Sequence, residues 1–179
     1  MSEEELWAKI RHLEGQMNDI RRATLRAKEN PDRTVYAFYQ SNAENAVAHA
    51  TLTIFNFEDK VIDTHNCVTV GAAWKFTAPM TANYIAATGI LWAANAEWAA
   101  GEALSLQLYK NGVFYCSVNQ MNNQVANSQC FIGGSIPIYL KTGDYISFKI
   151  YHNMGVGTTL TAYSGAEYVW CAICQARFI

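Results

Sequence analysis

At 179 residues the chain has room for one well-cored domain with an appendage, and too little for two full domains. Hydrophobic residues make up 51% and aromatics 13%, while the net charge is −2, which excludes the basic balance of a nucleic-acid or acidic-membrane binder. No run of about 18 apolar residues occurs, so the sequence predicts no membrane insertion.

Charge is distributed unevenly. Residues 1–33 hold 7 of the 13 basic and 7 of the 15 acidic side chains. Residues 34–179 are far poorer in charge than the quarter or so usual in soluble domains. The faces of this larger part must therefore be uncharged polar or apolar, and the apolar ones are expected to be covered by partner subunits. The start MSEEELWAKI has acidic charges and no apolar stretch, so it is expected not to be a signal peptide. Five cysteines, an odd number without framework spacing, fit synthesis in a reducing cytosol.

Taken in chain order, the first element is a helix over residues 1–30. Leu6, Ile10, Leu13, Met17 and Ile20 are separated by 4, 3, 4 and 3 residues, the a/d seam of a heptad. Ser2 and Glu5 form a capping-box pattern, and Pro31 ends the helix before a short linker at 31–33. A lone helix of this length is marginal in water, so it must pack on something. Self-association as a coiled coil, docking to another protein and folding back on its own domain all satisfy that need.

From residue 34 to 179 the period changes to two. TVYAFYQ, ATLTIFNF, KVIDTH, WKFTA, NYIAATGILW, LSLQLYK, VFYCSV, SIPIYL, DYISFKIY, TTLTAY and YVWCAICQARFI are predicted strands. Asn111-Gly112 between LSLQLYK and VFYCSV supplies the positive φ angles of a two-residue hairpin turn. A further turn is expected at Gly143-Asp144. Many short antiparallel strands without helices predict an all-β sandwich or jelly roll.

Few residues suggest chemistry. Cys171-x-x-Cys174 has the spacing of a zinc or redox pair, but an offset of three puts the two on opposite faces of a strand. His65 and Cys67 share a strand face without a third orienting group, so no catalytic residue is assigned. Asp59, Asp63 and Asp144 do not form a calcium loop. No metal site, cofactor or enzymatic activity is expected. The basic cluster Arg21, Arg22, Arg26, Lys28 and Arg33 is interleaved with acids and reads as a solvated helix end, not as a nucleic-acid site. Two stretches could form a recognition surface. One is the amide-rich loop with Asn122, Asn123, Gln124 and Asn127, whose side chains suit sugar hydroxyls. The other carries Trp92 and Trp98, rings of the kind that stack under sugars or fill interfaces. The plainer alternatives are a solvated loop and tryptophans in the core or a subunit contact.

WKFTAPMTANYIAATG resembles the F-T-A-P-x-x-G-x-Y-x-F signature of the globular head of complement component one, subcomponent q. Phe76, Pro79 and Tyr84 take the matching places, and the family's glycine is absent. GGSIPIYLKTGDYISFKIY is similar to a second family segment, with Leu140, Gly143 and Asp144 in place. The closing strand departs from the family, carrying Val169-Trp170-Cys171-Ala172 where its F-S-G-F-L core stands. The resemblance covers about residues 34–179 and implies a jelly roll shared with the tumour necrosis factor ligands. It also implies a homotrimer whose heads pack side by side on an apolar, aromatic wall.

The expectation is a homotrimeric, non-enzymatic stalk-and-head protein made in the cytoplasm. Compact architecture without collagen or leader suggests a bacteriophage virion component, such as a tail fibre, spike or capsid decoration module. The helix would then bind other virion proteins, and the head a host-surface glycan or protein. The alternative is a soluble complement- or cytokine-like ligand or lectin, secreted by an unrecognised route.

Overall fold

The computed structural model describes residues 34–94, 102–122, 129–155, 157–165 and 167–176. The chain divides between Thr34 and Val35 into two units, and the described residues belong almost wholly to the second. The predicted helix with Leu6, Ile10, Leu13, Met17 and Ile20 lies outside the described residues, as do Trp98, Asn123, Gln124 and Asn127.

Among the described residues every regular element is a strand. They are β1 (Tyr36–Gln40), β2 (Ala46–Ala48), β3 (Thr53–Ile54), β4 (Asp59–Asp63), β5 (Val68–Thr69), β6 (Lys75–Thr77) and β7 (Ala82–Trp92). Next come β8 (Ala103–Lys110), β9 (Val113–Asn122), β10 (Cys130–Leu140), β11 (Tyr145–His152), β12 (Thr159–Thr161) and β13 (Val169–Gln175). One sheet runs β10-β7-β13-β1-β4; the other runs β5-β6-β11-β8-β9 with β3 also paired to β11; β2 and β12 form a small third. From β6 onward the chain crosses repeatedly between the two large sheets, the connectivity of a jelly roll.

Period-two alternation selects the side chains that lie between the sheets. Tyr84, Ala86, Thr88, Ile90 and Trp92 of β7 point inward, as do Leu104, Leu106 and Leu108 of β8 and Ile146, Phe148 and Ile150 of β11. Their centre is aromatic. Phe57 sits 5.1 Å from Trp74 and 6.3 Å from Phe148 between ring centroids, and Phe55 lies 5.9 Å from Trp92. Offset and edge-on ring pairs of this kind add to area burial, which contributes roughly 1.5–3 kcal/mol per large side chain.

The predicted strand ATLTIFNF is mostly a loop. Only Thr53–Ile54 pairs, while Phe55 and Phe57 plug the core, the Phe55 N–H donating to Phe148 O at 3.0 Å. The Asn111-Gly112 turn forms as expected, with φ of 51° and 80°.

Strand β9 is irregular in a useful way. Opposite β8, Gln107 pairs with Ser117 and Leu106 with Asn119, leaving Val118 as the extra residue of a bulge. The bulge turns Val118 across the open side of the sandwich, where a methyl placed on Gly134 of β10 would meet its Cγ1 at 3.0 Å. Asn119 Nδ2 donates to Gly133 O at 2.9 Å. These two contacts tie together the edge strands of opposing sheets.

Candidate functional site

The reactive-looking residues serve the fold. Asp63, at the end of β4, accepts from the backbone N–H of His65, Cys67 and Val68, from the Cys67 thiol at 3.1 Å and from the Tyr39 hydroxyl at 3.0 Å. Burial alone would raise its pKa, but the bonds from Cys67, Val68 and Tyr39 hold it below the ordinary carboxylate value. Cys67 is in turn pushed far above the usual thiol range, by burial first and then by its bond to Asp63. A thiol held protonated as a donor is no nucleophile. His65 turns away, its Nδ1 lying 2.7 Å from Thr64 Oγ1.

Cys171 is buried and Cys174 faces outward, on opposite sides of β13. Burial pushes Cys130 up to about 11, and Cys171 well above the usual value. Among the described residues no three His, Cys, Asp or Glu side chains converge to hold a metal. Trp92, proposed from sequence as a recognition residue, is wholly buried against Phe55, so it is a core ring that no ligand can reach. Asn122 ends β9 and is exposed, its Oδ1 accepting from Gln120 Nε2 at 3.2 Å.

The family-motif residues meet at one end of the sandwich. Phe76 and Tyr84 are buried edge-to-face, 5.5 Å apart, and the Tyr84 hydroxyl donates to Met80 O at 2.7 Å. Leu140 is fully buried at the end of β10 and Pro79 half-buried just after Ala78. Ala78 N–H donates to Asp144 O, and Gly143 N–H, with φ 87°, donates to Ala78 O. Asp144 accepts from Asn111 Nδ2, from Lys141 N–H and from Lys110 Nζ, each at 2.9 Å. Three turns distant in sequence are thereby locked into one structural joint.

The surface with the clearest functional chemistry is the outward face of the five-stranded sheet. Register places Phe131, Gly133, Ser135, Pro137 and Tyr139 of β10 beside Leu91, Gly89, Ala87, Ile85 and Asn83 of β7. Trp170, Ala172 and Cys174 of β13 continue the face, followed by Tyr36, Phe38 and Gln40 of β1. None of these residues is charged. Phe131 is 52% exposed, Tyr139 51%, Ile62 of β4 42% and Ile85 39%. At Gly89 a methyl would lie 2.7 Å from Phe131 Cζ and 2.8 Å from Trp170 Nε1, so both rings reach over the bare backbone. A separate aromatic projection stands at the β8–β9 hairpin, where Val113, Phe114 and Tyr115 are 70%, 52% and 47% exposed.

The sequence reading did not single out Ile85, Phe131 or Trp170. The signal was present in NYIAATGILW, where both alternating sets are nearly free of polar residues. A strand apolar on both faces departs from the apolar-in, polar-out alternation of a sheet with one face in water.

No protein-family model matches the chain, and no curated protein matches its sequence. Solved structures do match in fold. Eiger TNF from S. frugiperda superposes with a TM-score of 0.60 at 10% identity, over 82% of this chain and 94% of that one. Murine APRIL at pH 8.5 gives 0.54 at 10% identity, over 80% of this chain and all (100%) of that one. The described head therefore has the tumour necrosis factor-like jelly-roll fold.

Proposed function

We propose that the chain is a non-enzymatic, homotrimeric binding module whose heads pack through the outward face of the five-stranded sheet. One observation carries this reading: four neighbouring strands, β10, β7, β13 and β1, present no charged side chain outward, and large apolar groups stand exposed among them. Re-burying the half-exposed Ile62, Ile85, Phe131 and Tyr139 contributes roughly 1 kcal/mol each, several kcal/mol per protomer. Association costs about 4–15 kcal/mol in lost freedom, so the remainder of the wall and the segment 1–30 must also contribute. The aromatic β8–β9 hairpin gives each protomer a projecting patch unlike the wall. Two different patches per subunit suit a heterologous contact that closes into a ring.

The finer reading is a bacteriophage fibre, spike or capsid decoration protein, with residues 1–30 docked to the particle and the head outward. It is supported by the segregation of charge into residues 1–33 and by the heptad there. The second reading is a soluble cytokine- or complement-like ligand, supported by the same fold in Eiger TNF and APRIL. Co-sedimentation of the full chain with purified particles supports the first. Saturable binding to cells by the free trimer, with no affinity for particles, supports the second.

Placing a charge on the wall tests the shared core of both. Ile85→Glu, at a site where a monomer leaves the side chain solvated, is expected to lower the full chain's mass from three times 20.0 kDa toward 20.0 kDa. The far-ultraviolet circular dichroism stays as in the wild type. Lys141→Glu, in an exposed turn, leaves the mass unchanged. If Ile85→Glu retains the wild-type mass, the wall is not the contact.

A further inference from the structure

The outward face of the six-stranded sheet has a different chemistry from the wall. Ser105, Gln107 and Tyr109 of β8 lie there, Gln107 beside Lys149 and Tyr109 beside Ser147 of β11. The Tyr109 hydroxyl donates to Gln107 Oε1 at 3.3 Å, and Gln107 Nε2 donates to Ser105 Oγ at 3.1 Å, making a fixed ribbon of hydroxyl and amide groups. Lys149 Nζ stands 4.0 Å over the Tyr109 ring, and Lys75 Nζ 5.1 Å from the Tyr145 ring. Among the described residues the ion pair found is Lys110–Asp144, so neither of these lysines has a carboxylate partner there.

Between β3, β6 and β11 this face sinks into a cavity of about 190 Å³, lined by Ile54, Ala73, Trp74, Lys75, Tyr145 and Ser147. Ser147 is 3% exposed, and Trp74, wholly buried in the same lining, has an indole Nε1 with no hydrogen-bond partner among the described residues. A buried N–H without a partner is costly unless an acceptor reaches it.

We infer that this cavity binds one ring of an acidic glycan, a pyranose carrying a carboxylate or sulfate. The volume is below the roughly 300–1,000 Å³ of sites for drug-sized ligands, and suits a single ring-sized group. The Ser147 hydroxyl both donates and accepts, as a sugar hydroxyl requires. The Tyr145 ring and Ile54 offer apolar surface to the C–H face of a pyranose. Lys75, in the cavity lining, supplies positive charge for the acid group, with Lys149 on the adjoining part of the face. Sugar units farther along a chain would lie over the Gln107–Ser105 ribbon. The inference deepens the binding-module reading and rests on it only in assuming that the head has a ligand. The trimer enters through avidity, since three such cavities on one particle multiply weak single-ring binding.

The test is calorimetric titration of the full chain with glucuronic acid, galactose 6-sulfate, glucose, galactose, inorganic sulfate and a hexaglutamate peptide. Amide shifts of the deuterated full chain locate the site. The acidic sugars are expected to bind about tenfold more tightly than the neutral ones, with the largest shifts at Lys75, Tyr145 and Ser147. Lys75→Met is expected to remove the acidic preference while circular dichroism is unchanged, and Ser147→Ala to weaken both sugar classes. The inference is overturned by no binding, by equal binding of neutral sugars, or by shifts elsewhere on the head. It is equally overturned if inorganic sulfate or the peptide binds as tightly as the acidic sugars. Light scattering on the same samples keeps the two claims apart: sugar binding by a monomer sinks the assembly reading alone, and a trimer without sugar binding sinks this one alone.

Discussion

Asp63 collects five donors around one carboxylate where β4 turns into β5, and His152 is buried at the end of β11 with Nε2 2.8 Å from Val47 O. Burial chiefly, and then His49 nearby, hold His152 below the ordinary 6.5, while its bond to Val47 and Glu102 oppose this. A histidine lowered in the fold is favoured neutral. Its contribution to stability is fully present above pH 6.5 and is lost progressively as pH falls below that value. Asp63 is also lowered in the fold, so its contribution is fully present above 3.8 and is lost as pH falls further, through its folded value. Both signs make acid destabilising, in two stages. Urea midpoints across pH are expected to decline first below 6.5 and more steeply below 3.8. His152→Gln flattens the first stage. Asp63→Asn flattens the second and costs about 1–3 kcal/mol at neutral pH, because an amide cannot accept all of these donors. If the first decline survives in His152→Gln, another group carries it. At this scale alternation in the sequence was informative: it set Cys171 and Cys174 on opposite faces. The same alternation, counted from Tyr84, carries Trp92 to the core side, the plainer of the two readings the sequence offered for that ring. Nothing local marks Asp63 as a hub, since its donors depend on a loop path that residue types alone do not fix.

Strand β10 shows how an element can contradict its own composition. The predicted strand SIPIYL starts only after Gly133 and Gly134, residues of low strand propensity. The strand in fact begins at Cys130 and pairs with β7 without interruption through both glycines. The reason is space. A methyl on Gly133 would come within 2.6 Å of Thr88 O and 3.1 Å of Gly89 Cα, both backbone atoms that cannot swing aside. Gly133→Ala is therefore expected to destabilise the head by about 1–3 kcal/mol, read as a lower urea midpoint with unchanged slope. An unchanged midpoint means that the two strands separate more easily than this packing implies. Strands β2 and β5, of three and two residues, were invisible in the sequence because neither is long enough to show a period. A pairing partner creates each: β12, far along the chain, for β2, and β6, a few residues on, for β5. The long strands β7, β8 and β11 were legible because their periodicity persists over many residues.

For the whole molecule, the paucity of charge after residue 33 resolves into two unlike faces. One sheet presents apolar and aromatic groups without a charge on four strands; the other presents tyrosine, amide and hydroxyl groups with two lysines, and Phe114 beside Tyr109 at its β9 edge. A sandwich with one oily and one polar face is suited to assemble by the first and to bind by the second. Composition made a charge-poor surface legible, but not its location, because the face opposite the core is defined only once the strands pair. The most direct test of assembly is the molar mass of the intact full chain by light scattering over a dilution series. A mass close to three times 20.0 kDa, falling only at high dilution, is the result expected of a head that assembles through its wall. A mass of 20.0 kDa at every concentration would contradict it and leave the wall without a self-partner.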